Sequence, residues 1–396
     1  MKNNMAVVPV MLGKSFPLTA QLLYSFARMG KVRFFPRRAE GRNHAKNLSI
    51  IYFKLTPVCN LRCVMCGQYG DHGVMHDRID QEAEKTLPLE TWKGVVDQIA
   101  SYKPITYLWG GEPFLYPGLM DLAKYIVDKG LYMSLNTNGT LIEKHAERIV
   151  RDKWGTIFVS LDAFREVNDS LRGAGSYDKV IAGFEAINRE KKRRNSKLPI
   201  LGVVSVVTNR NYQDIANLSR ALRDYGVEFH IINMGTYTND KIIEDHKKVM
   251  REKLDMDIDC LAGYNTGYNL GIDTEKFHQT LEEIHSSKGG PATICSPSLN
   301  PDKLAVYYND LTTPVRNGCI VPWCQANVNY NGDVHFCADY PDYILGNINE
   351  KPFAEIYNGE RANRFRRVIS SSEGGIIPSC LRCYQNMLFG NKIKGF

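Results

Sequence analysis

The chain has 396 residues, 43% apolar and 23% charged, the composition of a soluble globular protein large enough to bury a substantial core. No stretch approaches the ~20 uninterrupted apolar residues of a membrane-spanning helix, and MAVVPVMLGK (5–14), near the start, lacks the basic-then-apolar order of a secretory signal, so the sequence reads as cytoplasmic. The net charge of +7 is concentrated at one end: residues 1–50 carry nine Lys or Arg (Lys2, Lys14, Arg28, Lys31, Arg33, Arg37, Arg38, Arg42, Lys46) against one acid, Glu40.

Residues 1–47 read as a basic N-terminal extension. Within it, 17–29 (PLTAQLLYSFARM) forms an amphipathic helix with Leu18, Leu22, Phe26 and Met29 on one stripe. Such a helix packs on the main domain or makes peripheral contact with an anionic membrane surface, and its basic surroundings also suit an acidic peptide. From residue 48 the pattern changes to short β-rich runs: 48–55, 105–109, 131–135, 156–161, 200–208 and 227–233. Helical patterns lie between and after them, at 89–102, 118–129, 142–152, 176–194 and 212–226. Repeated β-then-α units give parallel strands with helices outside. Six units fall short of a closed eight-fold barrel, so the fold class is α/β, a partial (βα)6 barrel over 48–235. Residues 236–318 break the repeat with a helix at 274–287 and the Gly- and Tyr-rich LAGYNTGYNLG (261–271), and read as an insertion serving as a lid, a substrate wall or a packing extension. Residues 319–396 form a small cysteine-rich domain.

Parallel α/β folds bind ligands at the carboxyl ends of their strands. The unusual sequences fall there: CNLRCVMC after the first strand, WGGEP after the second, NTNG after the third, SLDAF at the end of the fourth. Singly, each has an ordinary reading: a Gly-Pro turn for GGEP, a helix cap for NTNG, a strand hydroxyl for Ser160, a surface cation for Arg172. Together on one rim they mark a site.

Ten cysteines in a cytoplasmic protein point to metal or reactive thiols rather than disulfides. Cys59, Cys63 and Cys66 form one group; Cys319, Cys324, Cys337, Cys380 and Cys383 form a second; Cys260 and Cys295 stand apart. With His72 or His76 the first group could close on zinc, and a catalytic zinc with three protein ligands and a water also fits three thiols. A four-iron cluster held by three thiolates leaves one iron open to a chelating small molecule.

CNLRCVMC resembles the signature of the radical S-adenosylmethionine superfamily, and the other motifs agree in order. WGGEP (109–113) is similar to its GGEP motif, which implies that Gly110, Gly111 and Glu112 meet the methionine amino group. NTNG, through Asn138, and Ser160 match positions approaching the ribose and carboxylate, and Arg172 matches an arginine that pairs with the cofactor carboxylate, a task suited to a planar guanidinium. The residue before the third cysteine is often aromatic in this superfamily; here Met65 stands there, and a polarizable thioether can still pack against an adenine. The resemblance covers about residues 48–235. The C-terminal group resembles the superfamily's auxiliary-cluster extension, SPASM or its short twitch form: Cys319, then Gly332 and Cys337 in Gly-x4-Cys, then the late pair Cys380 and Cys383, with Pro322-Trp323 and LGNI (345–348) in support. The implied ligands are Cys59, Cys63 and Cys66 for the cofactor-binding 4Fe-4S cluster and Cys319, Cys337, Cys380 and Cys383 for an auxiliary 4Fe-4S cluster; four cysteines on zinc is the alternative there. Cys324 is a candidate catalytic hydrogen donor, an alternate ligand, or a buried small residue.

The resemblance implies reductive cleavage of S-adenosylmethionine to a 5′-deoxyadenosyl radical that takes hydrogen from a substrate carbon, with an electron donor such as flavodoxin or ferredoxin. The substrate is a peptide or a small molecule. Oxidation, cross-linking, epimerisation and lipid modification remain open as outcomes. The reading from another class is a zinc-binding module with its basic arm on nucleic acid, although no nucleic-acid motif is present.

Overall fold

The computed structural model describes residues 10, 12–34, 45–70, 73–287 and 290–392. Seven parallel strands follow in order, each hydrogen-bonded to the next: β1 (Ile50–Lys54), β2 (Ile105–Trp109), β3 (Tyr132–Thr137), β4 (Thr156–Ser160), β5 (Ile200–Val206), β6 (Phe229–Asn233) and β7 (Ala292–Ser296). The six expected strands are all present, with the expected helices among them, including Leu89–Ile99, Leu119–Asp128, Ile142–Arg151 and Ser176–Arg193. The seventh strand comes from the stretch read as an insertion. Helices Asp240–Leu254 and Thr274–Ser286 return the chain to the sheet edge, where β7 pairs with β6. Its short ATICS run gives little periodicity to read.

The C-terminal domain extends the opposite edge. After β8 (Arg316–Asn317), strand β9 (Gln325–Val328) pairs in parallel with β1, and β10 (Asp333–His335) and β11 (Gly346–Asn347) continue antiparallel, making ten strands. β8 itself pairs with β12 (Asn391–Lys392) in a separate two-stranded ribbon.

Alternation along the strands divides the apolar residues between two cores. Ile51, Phe53, Leu108, Met133, Leu135, Ile157 and Val159 are buried in the larger core with helix residues such as Trp92, Ile126 and Phe184. Ile50, Tyr52, Ile105, Tyr132 and Phe229 form the inner core. The N-terminal helix, Phe16–Phe34, adds Leu22 and Met29 to that inner core, so its apolar stripe covers the N-terminal mouth of the half-barrel. Gln21 donates to the carbonyl of Pro104, just before β2, at 3.3 Å. Of the basic arm, Lys2, Arg37, Arg38, Arg42 and the Arg33 side chain lie outside the described residues.

Candidate functional site

The loop after β1 carries the first three cysteines and is held by its neighbours' backbones. The N–H of Gly111 donates to the Thr56 carbonyl at 2.9 Å and that of Glu112 to the Val58 carbonyl at 2.8 Å. This close pairing requires glycine: a Cβ on Gly111 would lie 2.1 Å from the Val58 oxygen. Gly111→Ala is therefore expected to destabilise the fold by about 3 kcal/mol through overpacking, read as a lowered Tm of the iron-free protein.

On its other side the loop docks on helix Arg165–Arg172, the Val64 N–H donating to the Leu171 carbonyl at 2.9 Å. Buried Arg172 donates from Nε to Asp162 at 2.7 Å, and its Nη1 lies 3.9 Å from Cys63 Sγ. The Tyr69 N–H points at Cys66 Sγ at 3.4 Å. Burial pushes the Cys59 thiol up to about 11 and the Cys63 thiol up to about 12, with the Arg172 guanidinium opposing the rise at Cys63. All three thiols are half-buried, as is Met65 between them.

The remaining rim residues are brought to the same loop, several of them through roles that brace the protein itself. Asn138 donates its amide to Asn60 Oδ1 at 2.8 Å, tying NTNG to the cysteine loop, and accepts from Thr140. Glu112 is fully buried and accepts from Thr137 Oγ1 at 2.7 Å, Asn138 N at 2.8 Å and Phe114 N at 3.1 Å. Burial pushes its carboxyl up to about 7 against those hydrogen bonds. Its oxygens thus join β2 to β3, while the backbone of Gly110 and Gly111 borders the loop. Ser160 ends β4 half-buried, with no side-chain partner among the described residues.

Cys319, Cys337, Cys380 and Cys383 line one pocket, together with Val321, Pro322 and Tyr340. Cys324 is placed elsewhere. It is fully buried in the inner core, its Sγ donates to the Ile320 carbonyl at 3.3 Å, and its own carbonyl accepts from Ser49 and Ile50 at the start of β1. That is the strand end opposite the cysteine loop, so its surroundings are those of a packed small residue. Cys295 is buried on β7, and buried Cys260 donates to Asp342.

Several site residues were not singled out from the sequence. Lys54, the last residue of β1, is 4% exposed, donates to Gln68 Oε1 at 2.6 Å, and lies 5.5–5.9 Å from the ring centres of Tyr69, Trp109 and Tyr330. Among the described residues no carboxylate comes within the 4.0 Å of an ion pair. The Tyr69 hydroxyl and Trp109 Nε1 are buried donors with no hydrogen-bond partner among the described residues. The Gly263–Tyr264 segment presses against the first cysteine loop, where a Cβ on Gly263 would lie 2.0 Å from the Gly67 oxygen. Tyr264 then reaches Asp339, two residues beyond Cys337, with its hydroxyl 3.3 Å from Oδ1. The legible signal was the lysine itself, a charge in inward register at the end of the apolar run IIYFK.

The donor sets fit iron–sulfur clusters. The second cavity is a cradle walled by four thiols, and the first loop presents three thiols with N–H groups directed at sulfur. Among the described residues no three Cys, His, Asp or Glu side chains gather around the position of a single ion.

Comparison with known proteins agrees with this chemistry. The model of the radical SAM superfamily matches residues 53–206, and that of an iron–sulfur cluster-binding domain, SPASM, matches 319–384. The chain is 26% identical over 335 residues to the Fe-coproporphyrin III synthase of Methanosarcina barkeri, covering 78% of this chain and 73% of that protein. It is 24% identical over 344 residues to the cysteine-type anaerobic sulfatase-maturating enzyme of Clostridium novyi, covering 81% and 82%. The fold superposes on Streptococcus suis SuiB bound to S-adenosylmethionine with a TM-score of 0.61 at 17% identity, over 89% of this chain and 74% of that one.

Proposed function

From a chain that belongs to the radical S-adenosylmethionine superfamily and carries a SPASM domain, we propose an enzyme that oxidises an anionic substrate seated between its two cysteine sets. The observation that carries this reading is the short protein bridge between the two loops, from Gly67 through Gly263 and Tyr264 to Asp339. When bound, a cluster on Cys59, Cys63 and Cys66 supplies the electron that cleaves S-adenosylmethionine to a hydrogen-abstracting 5′-deoxyadenosyl radical, and one on Cys319, Cys337, Cys380 and Cys383 supplies a sink for the electron left on the substrate.

The chain's own residues position and shield. The Gly110–Gly111 backbone, Ser160 and Arg172 would hold the amino acid and ribose ends of the cofactor, and Met65 would pack on its adenine. Asn138 and Glu112 hold the loop that presents the thiols. The Gly263–Tyr264 segment closes the side of the rim and excludes water. Lys54 and the unpartnered Tyr69 and Trp109 donors hold an anionic substrate group. A buried ammonium with no carboxylate at ion-pair distance, and only the longer-range pull of the Cys66 sulfur, Asp339 and Glu82, costs stability, which supports a ligand role. Product mass tests the reaction: loss of two hydrogens is expected, and an unchanged mass with deuterium uptake from heavy water would sink it in favour of epimerisation.

Lys54→Met is expected to raise KM at least about tenfold, the worth of a lost charge-assisted contact, while Tm stays level or rises because an unpaired buried charge is gone. Burial lowers the Lys54 ammonium to about 8. Its grip on an anion is therefore complete below pH 8 and fades as pH rises through that value, so KM should climb above pH 8 in the parent and stay flat in Lys54→Met. The stability sign is opposite: the unfolded chain binds the extra proton between about pH 8 and 10.5, so the lysine's penalty to folding shrinks as pH rises across that window.

The relatives' names support two substrate classes, a tetrapyrrole in M. barkeri and a sulfatase protein in C. novyi. A carboxylate-bearing small molecule is the first reading here because Lys54 offers one compact cationic anchor. Maturation of a peptide is the second, supported by the maturase relative. The external reductant belongs to the flavodoxin or ferredoxin class.

A further inference from the structure

The helix Phe16–Phe34 buries one side against the mouth of the half-barrel, and its other side is apolar as well. Phe16, Pro17, Ala20, Leu23, Tyr24 and Ala27 all face solvent, a strip about 18 Å long at helical rise; Arg28 borders it, its guanidinium 5.2 Å from the Tyr24 ring centre, and Lys31 ends it. Of the six large hydrophobic side chains exposed among the described residues, three sit here, Phe16, Leu23 and Tyr24, and a fourth, Leu12, lies just before the helix. Phe16 is 74% exposed. A helix apolar on both sides is normally enclosed by protein or lipid.

Charge selects the cover. Residues 1–50 carry nine basic residues against one acid, and the helix has no acid in its first turn. A second copy would bring two such segments together, and like charges would oppose the self-complementary contact a symmetric dimer needs. An apolar strip on a segment of basic sequence, with Arg28 and Lys31 beside it among the described residues, is the arrangement that lies in the headgroup layer of an anionic bilayer. We propose that this outer face of helix Phe16–Phe34 docks the protein on anionic lipid, with Phe16, Leu23 and Tyr24 entering the interface.

The placement sets the orientation. The helix covers the N-terminal ends of strands whose C-terminal ends carry the cysteine loop, so at least one strand length, about 17 Å, separates the lipid from the rim. The cleft faces away from the bilayer. Docking so arranged serves a substrate on the aqueous side and does not deliver acyl chains to the site.

The test is co-sedimentation of the full-length protein with vesicles of phosphatidylglycerol and, separately, of phosphatidylcholine. Binding is expected to phosphatidylglycerol at least about tenfold tighter than to phosphatidylcholine, falling steeply as salt rises from 0.1 to 0.5 M. The double variant Phe16→Ser with Leu23→Ser should bind at least about tenfold more weakly with unchanged Tm, since both side chains are exposed. Tyr24→Trp should show a blue-shifted emission with phosphatidylglycerol vesicles and none without. Absence of binding to phosphatidylglycerol overturns the proposal, as does binding that the double variant retains. If the parent elutes as a dimer, the double variant as a monomer and neither sediments with vesicles, the face is a contact between copies and the proposal fails.

Discussion

Replacing Cys63 by alanine is expected to abolish 5′-deoxyadenosine formation, by at least about 1,000-fold, the scale of losing a member of a unit that acts together. Cys63 is the middle of three thiols on one loop, and it is the one beside which Arg172 places its guanidinium, 3.9 Å from the sulfur. Two thiolates cannot hold a four-iron cluster that already lacks one protein ligand. Anaerobically reconstituted Cys63→Ala should therefore carry about half the parent's iron and cleave no cofactor under chemical reduction. Deoxyadenosine at the parent's rate would remove the basis for assigning this loop.

Cys383→Ala separates the two cysteine sets. Cys383 lines the second cavity with Cys319, Cys337 and Cys380, while the first loop is built from β1, β2 and the helix ending at Arg172. Deoxyadenosine formation should stay within about threefold of the parent, whereas oxidised product falls at least about 100-fold because the second electron has no acceptor. Cys383 is buried, so Cys383→Ser is measured beside it, with circular dichroism and retention of the first set's iron as the check on folding. Product at parental levels in a folded variant that has lost the second cluster's iron would refute the electron-sink assignment.

Much of the architecture could be read from residue order alone. The six strands and the rim motifs announce themselves because parallel strands buried on both faces are continuous apolar runs, and each run here is followed by polar residues unsuited to a core. What escaped is what depends on partners far along the chain. β7 has only the five residues ATICS, and β9 reads simply as part of a cysteine motif until it is seen beside β1. Glu112 illustrates the same limit within the site: the motif names the residue, but only the fold reveals Thr137 at the end of β3 and Asn138 after it joining the local Phe114 N–H around its carboxylate. Lys54 was hidden by its strand, since charge at a strand end is ordinary and its burial under Tyr69, Trp109 and Tyr330 comes from tertiary packing. Cys324 has three readings in the sequence, hydrogen donor, alternate ligand or buried small residue, and only the turn Val321–Trp323 that sets it beside the start of β1 shows its packed surroundings.

The pairing of β9 with β1 has a consequence for how the protein is made. Ile50 waits for Gln325, about 275 residues later, before its outer edge is hydrogen-bonded. Throughout synthesis of the half-barrel that edge, five residues of IIYFK, is open to any passing strand, and closing so long a loop is slow. The cysteine loop grows directly from this strand. A truncation before β9 is therefore a candidate for aggregation in place of a simpler enzyme.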